Sequence, residues 1–184
     1  MSQLMAAQAA ALQRSIGGSV VGTSVLGVGV DIAHTPRVFR LYQRYGKRFL
    51  RRVYHDSEVA EFKRRMSRCE NRGADYLASR WSAKEAAYKA LGGGAAVAAL
   101  RRHDHCSGYK VPSTPRLQFP ELVVRSDAGG GVSVELLGGA RMMARAAGVV
   151  GTHLSLSHEE EYAVAVVVAL APAVSTFCGE ASPS

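Results

Sequence analysis

The chain has 184 residues, 47% of them hydrophobic, and a net charge of +8; that length and apolar content support one domain with a real core and exclude wholesale disorder. No apolar run approaches the roughly eighteen uninterrupted residues of a membrane-spanning helix. Three widely spaced cysteines, Cys69, Cys106 and Cys178, fit a reducing compartment rather than a disulfide framework.

Residues 1–24 contain no acid and carry Arg14 as their one charged side chain. That composition predicts a leader or disordered tail, with a transit peptide as one form of it, so the compartment is the cytoplasm or a mitochondrial matrix. Residues 25–32, Val-Leu-Gly-Val-Gly-Val-Asp-Ile, form an apolar run that reads as a buried strand carrying Asp31 near its end. Thr35 followed by Pro36 supplies an N-cap and a proline at the first helical position, so a helix starts there and carries Arg37, Val38, Arg40, Leu41 and Arg44. Arg37, Arg40 and Arg44 stand three and four residues apart and share one face.

Gly46 interrupts that helix, and a second short one runs through Phe49, Leu50 and Val53. Asp56 or Ser57 caps a third, which holds Val59, Phe62 and Met66. Residues 73–91 lack proline, are rich in alanine and place Leu77, Trp81 and Tyr88 near helical spacing; Gly92, Gly93 and Gly94 end this long helix.

Residues 95–116 mix alanines, a cluster of basic and histidine residues and prolines, and read as an inserted loop, partly helical before Arg101. Residues 117–125 and 132–137 flank a Ser-Asp-Ala-Gly-Gly-Gly turn and predict a hairpin. A helix through Arg141, Met142 and Arg145 follows, then strands at 150–157 and 161–169 joined at His158, Glu159 and Glu160. The tail, 172–184, is expected to be disordered, leaving residues 25–171 as the domain.

The charge is uneven. Between Arg37 and Arg68 lie eleven basic residues and three acids, an excess equal to the whole net charge of +8. A localised basic face calls for an anionic partner.

Two carboxylates that converge in a fold repel one another unless a cation or proton is shared. Asp31 on the strand and Glu85 on the long helix are the number and kind of ligand that magnesium takes, since that ion is commonly held by one or two carboxylates plus water and substrate phosphates. No histidine or cysteine stands beside them in sequence, which disfavours zinc. Lys89 is four residues after Glu85 and on its face, whereas Lys84 is turned about a quarter revolution away. A lysine beside such a glutamate can contact phosphate oxygens that the metal leaves unneutralised. Taken alone, Glu85 and Lys89 would be an ordinary helix-surface pair contributing a few tenths of a kcal/mol. His103, Asp104, His105 and Cys106 have no second half at metal-ligand spacing and are not expected to hold an ion.

The strand Gly-Val-Gly-Val-Asp31-Ile, the segment Arg80-Trp-Ser-Ala-Lys84-Glu85-Ala-x-x-Lys89-Ala-x-Gly92, and His153-Leu-Ser155-Leu-Ser157-His158-x-x-x-Tyr162-Ala-x-Ala occur in that order. With them the chain resembles the holo-acyl-carrier-protein synthases, the short bacterial type of 4'-phosphopantetheinyl transferase. The resemblance covers most of residues 25–170 and implies an α+β fold, a compact single domain with an antiparallel sheet packed on a long helix, assembled as a homotrimer with active sites between subunits. It implies transfer of phosphopantetheine from coenzyme A to a serine of an apo acyl carrier protein, releasing adenosine 3',5'-bisphosphate, in support of fatty acid biosynthesis. On that resemblance Asp31 and Glu85 hold magnesium, Asp31, Glu85 and Lys89 are the catalytic residues, and Lys84, Lys89 and His158 lie near coenzyme A. Arg37 matches a carrier-contacting arginine, with Arg40 and Arg44 on the same face for an acidic carrier. Gly93 and Gly94 stand where relatives carry Thr-Gly. The acceptor of the serine proton is left open among Asp31, a metal-bound water and solvent. Neither nucleic acid nor membrane is expected as a partner; a nucleic-acid module on the basic face would leave Asp31, Glu85 and the last motif unexplained.

Overall fold

A computed structural model describes residues 22–92, 117–127 and 129–173. The chain runs β1 (Thr23–His34), α1 (Thr35–Tyr45), α2 (Lys47–Val53), α3 (Asp56–Met66), α4 (Glu70–Ala90), a 3-10 turn (Phe119–Glu121), β2 (Leu122–Ser126), β3 (Val132–Leu136), α5 (Gly138–Ala146), β4 (Gly151–Glu159) and β5 (Tyr162–Pro172). β1, β5 and β4 form an antiparallel sheet in that order, and β2 pairs with β3 in a separate antiparallel hairpin. The expected inserted loop at 95–116, with His103, Asp104, His105 and Cys106, lies outside the described residues, as does most of each expected tail; β1 begins at Thr23, inside the expected leader.

α4 is the axle of the domain. Its buried residues, among them Tyr76, Leu77, Ala78, Ala83, Lys84, Ala86, Ala87 and Ala90, occur on every side, so no single stripe faces a core. One core lies between α4, the sheet, the hairpin and α5, built on Ala83, Ala87, Leu122, Val134, Ala144, Ala165 and Val167. The other lies between α4 and the three preceding helices, built on Val38, Phe49, Leu50, Val53, Phe62 and Leu77.

β1 packs on α4 at backbone distance. Gly27, Gly29, Asp31 and Ala33 alternate onto the helix side, and a Cβ on Gly29 would collide with the Ala86 carbonyl oxygen and come within 2.6 Å of the Ala90 nitrogen. The other face of β1 carries Val28, Val30 and Ile32, which are 57%, 53% and 61% exposed.

Several helix ends differ from the sequence expectation. His34, not Thr35, is the N-cap of α1, because the Thr35 amide is already bonded to the Glu161 carbonyl at 2.7 Å. α3 is capped by His55 rather than Asp56 or Ser57: His55 Nδ1 accepts from the Ser57 amide at 3.2 Å, and Glu58 accepts from the His55 amide at 2.8 Å. α4 starts at Glu70, so Gly73 sits inside it, against Met66. The first hairpin strand starts at Leu122 because Pro120 and a Gln118–Glu121 bond close a 3-10 turn first. The last two strands turn at Glu160 and Glu161, with Glu160 at φ +47.

Candidate active site

Asp31 leaves the sheet on its helix side because every second residue of β1 faces α4. Lys89 comes to meet it from the last turn of the helix: its Nζ donates to Asp31 Oδ1 at 2.8 Å and to the Val30 carbonyl at 2.8 Å. Glu85 lies one turn earlier on the same face of α4 and is partly buried. Its carboxyl is pushed above the usual carboxylate range, first by burial and then by the charge of Asp31, while Lys89 and Arg37 pull it back. Those causes place Asp31, Glu85, Lys89 and Arg37 within electrostatic reach of one another. Three of the four were expected at one site; Arg37 was expected on the carrier face, and its charge also reaches Glu85.

The donor set fits a hard divalent cation. Two carboxylates held against their mutual repulsion gain from a shared cation, and two protein ligands leave room for water and phosphate oxygens, as magnesium prefers. Among the described residues no group of three or more His, Cys, Asp and Glu side chains could hold a metal, so the candidate ligands number two and are both oxygen donors.

Lys84 departs from expectation. It is 0% exposed and faces a different side of α4, where its Nζ pairs with Glu58 at 2.8 Å and donates to the carbonyls of Phe119, at 3.0 Å, and Leu122. An ammonium has three donors, and all three are used. Burial lowers its pKa while Glu58 opposes the shift. It is therefore corrected from a phosphate contact to an interior ion pair. Glu58 is satisfied in turn: Oε2 takes the His55 amide at 2.8 Å and Oε1 the Val124 amide at 3.0 Å. Removing one partner of such a pair costs about 3–5 kcal/mol. Sequence reasoning missed Glu58, although its place three residues after the N-cap His55 is a capping-box position.

His158 is exposed near the end of β4 and pairs with Ala163, which pairs with Ala33. It shares the helix side of the sheet with Asp31 but stands two strands away, about 10 Å across the sheet. Within one chain it is not brought to the carboxylates. Arg40 and Arg44 are exposed on α1, and Arg44 lies over the Tyr45 ring at 5.2 Å.

The 4'-phosphopantetheinyl transferase superfamily model matches residues 27–167. A holo-[acyl-carrier-protein] synthase of Alkalilimnicola ehrlichii is 38% identical over 144 residues, which is 78% of this chain and 95% of that protein. Among solved structures, the holo-[acyl-carrier-protein] synthase of Neisseria meningitidis is similar at a TM-score of 0.61 and 27% identity, covering 79% of this chain and 98% of that one. A coenzyme A complex of the Chronobacterium ammoniagenes synthase is similar at a TM-score of 0.55 and 26% identity, covering 83% and 98%. The matched span contains Asp31, Glu85, Lys89 and His158 together with the sheet and axle that carry them. The chain belongs to the 4'-phosphopantetheinyl transferase superfamily and, within it, to the holo-[acyl-carrier-protein] synthases.

Proposed function

We propose that this protein transfers 4'-phosphopantetheine from coenzyme A to the serine hydroxyl of an apo acyl carrier protein, giving the holo carrier and adenosine 3',5'-bisphosphate in support of fatty acid biosynthesis. The observation that carries the reading is the meeting of Asp31, Glu85 and Lys89 across the β1 and α4 contact. Magnesium held by Asp31 and Glu85 would neutralise charge on the pyrophosphate under attack. Lys89 stands beside those carboxylates with its side chain 48% exposed, free to add a donor toward a phosphate oxygen. Asp31 and the Val30 carbonyl fix where that ammonium points. Positioning of the serine in line supplies the remainder of the rate, since phosphoryl transfer leaves little covalent work for the protein.

Arg37, Arg40 and Arg44 on α1 are proposed to receive the acidic carrier. Arg37 supports this because it is exposed on α1 and its charge also reaches Glu85, and opposite charge speeds encounter in a salt-dependent way. His158 is proposed to lie beside the coenzyme A nucleotide, which its exposure and its place on the Asp31 side of the sheet favour. The relatives described above are bacterial, which supports the cytoplasm over the mitochondrial matrix. Among the described residues no helix is long and apolar enough to cross a membrane.

Incubation with coenzyme A, magnesium and an apo carrier is expected to add the prosthetic-group mass to the carrier. A carrier left unmodified while a control transferase modifies it would sink the reading.

The sheet supports a homotrimer. Val28, Val30 and Ile32 lie opposite Val168, Val166 and Val164 on one face, an apolar surface that the described residues do not cover. Further copies of the chain are the proposed cover. Val30→Asp would place a charge in that interface and is expected to give a smaller species by light scattering, with loss of transfer. Unchanged mass and full activity in Val30→Asp would remove the trimer.

A further inference from the structure

Lys84 is buried beside Glu85 but spends its three donors on elements that have no part in the Asp31 site. Those elements are the first turn of α3, through Glu58, the 3-10 turn, through the Phe119 carbonyl, and the start of β2, through the Leu122 carbonyl. The 3-10 turn lines a groove of about 910 Å³, in which Phe49, Trp81 and Phe119 supply aromatic surface and Arg48, Arg51 and Arg52 supply charge. Phe119 is held in that wall from both sides: its ring meets Trp81 edge-on at 6.2 Å and Tyr88 at 6.3 Å, while its carbonyl accepts a hydrogen bond from Lys84 Nζ. α2, which carries the three arginines, packs on the same core through Phe49, Leu50 and Val53 and leads directly into the helix that Glu58 anchors.

We propose that Lys84 is a positioning residue for the carrier protein: by pinning Phe119 to α4 it fixes one wall of the arginine-lined groove, and so sets carrier affinity without touching coenzyme A. The inference rests on the transfer reading above. The occupant follows from charge and continuity. The groove arginines extend the exposed basic surface that begins on α1 with Arg40 and Arg44, and an acidic partner with an apolar contact strip satisfies both its rim and its floor. A saturated ammonium 0% exposed has no donor left for a phosphate.

The test compares wild type, Lys84→Met and the charge-balanced Lys84→Met/Glu58→Gln in steady-state transfer with carrier and coenzyme A varied separately. The double variant keeps the interior neutral and is the one expected to fold well. Its KM for carrier should rise roughly tenfold, with KM for coenzyme A within about twofold of wild type. A raised KM for coenzyme A with carrier unchanged, or no change in either in a folded variant, overturns the proposal. Hydrogen exchange on the wild type tests the groove assignment on which that role depends: carrier should slow exchange in peptides covering residues 117–121 and coenzyme A should not, and the reverse pattern overturns the proposal. A wild type that binds carrier with this protection yet transfers nothing refutes the transfer reading and leaves the groove assignment standing.

Discussion

Glu85→Gln is expected to give a folded protein whose transfer rate falls by about a hundred- to a thousandfold, the loss typical of removing one electrostatic contact to a charged transition state. Glutamine keeps the shape of the side chain and removes its charge, so the packing of α4 is undisturbed. The stability should move the other way from the activity. A carboxyl whose folded pKa is raised stabilises the fold below its unfolded pKa and loses that contribution as pH climbs through the folded value. In metal-free buffer at neutral pH, ionised Glu85 beside Asp31 therefore works against folding. Glu85→Gln should melt no lower than wild type at neutral pH, and any advantage should close as pH falls toward the ordinary carboxylate range. Added magnesium should raise the wild-type melting temperature and leave that of the variant unmoved. Thermal melts with and without magnesium, run beside mass-detected transfer, check both halves. Wild-type turnover in Glu85→Gln would remove the metal-holding role.

Gly29→Ala should be the most damaging small substitution in the sheet. The added methyl group would collide with the Ala86 carbonyl oxygen and press on the Ala90 nitrogen, both backbone atoms that no rotamer change can move. Overpacking of that kind costs about 1–3 kcal/mol and occasionally more, against a total stability of order 5–15 kcal/mol. The site suffers as well, because the strand that must shift carries Asp31 and the helix it leaves carries Glu85 and Lys89. A loss of about 3 kcal/mol with near-complete loss of transfer is the expected outcome. Gly151→Ala is the control: it lies in the same sheet, and its nearest neighbour to an added Cβ is Leu170 Cδ1 at 4.0 Å. A denaturant titration in which both variants match wild type would show that the close approach of β1 and α4 is not needed.

The fold class and the order of elements were legible because the local signals agree: an alternating glycine-valine strand, a proline after Thr35, a proline-free alanine-rich helix and a glycine-rich hairpin turn. The pairing of Asp31 with Glu85 was legible from chemistry, since two carboxylates from distant segments need a reason to meet. Lys84 was not. Sequence spacing separates Lys84 from Lys89 by direction around the helix but does not say which direction is the interior, and that is settled by Glu58, a residue that reads locally as one more acid on a basic helix. The caps at His34 and His55 were missed for a related reason: histidine is outside the usual cap set, and the Thr35 amide is claimed by Glu161, distant in sequence. The two-sided role of β1 was hidden too, because glycines and valines both read as buried, whereas the structure turns one set to the helix and leaves the other bare.

β5, the last of the described elements, is the middle strand of the sheet, and β1, the first of them, borders it along residues 23–34. Neither β1 nor β4 has its ladder until β5 is inserted between them. During synthesis from the N-terminus, Asp31 is therefore among the first functional residues to leave the ribosome and among the last to be fixed, since its strand waits for residues 162–172. The helices can collapse around α4 while translation continues. The candidate active site is completed by the late arrival of a strand that supplies none of its proposed residues.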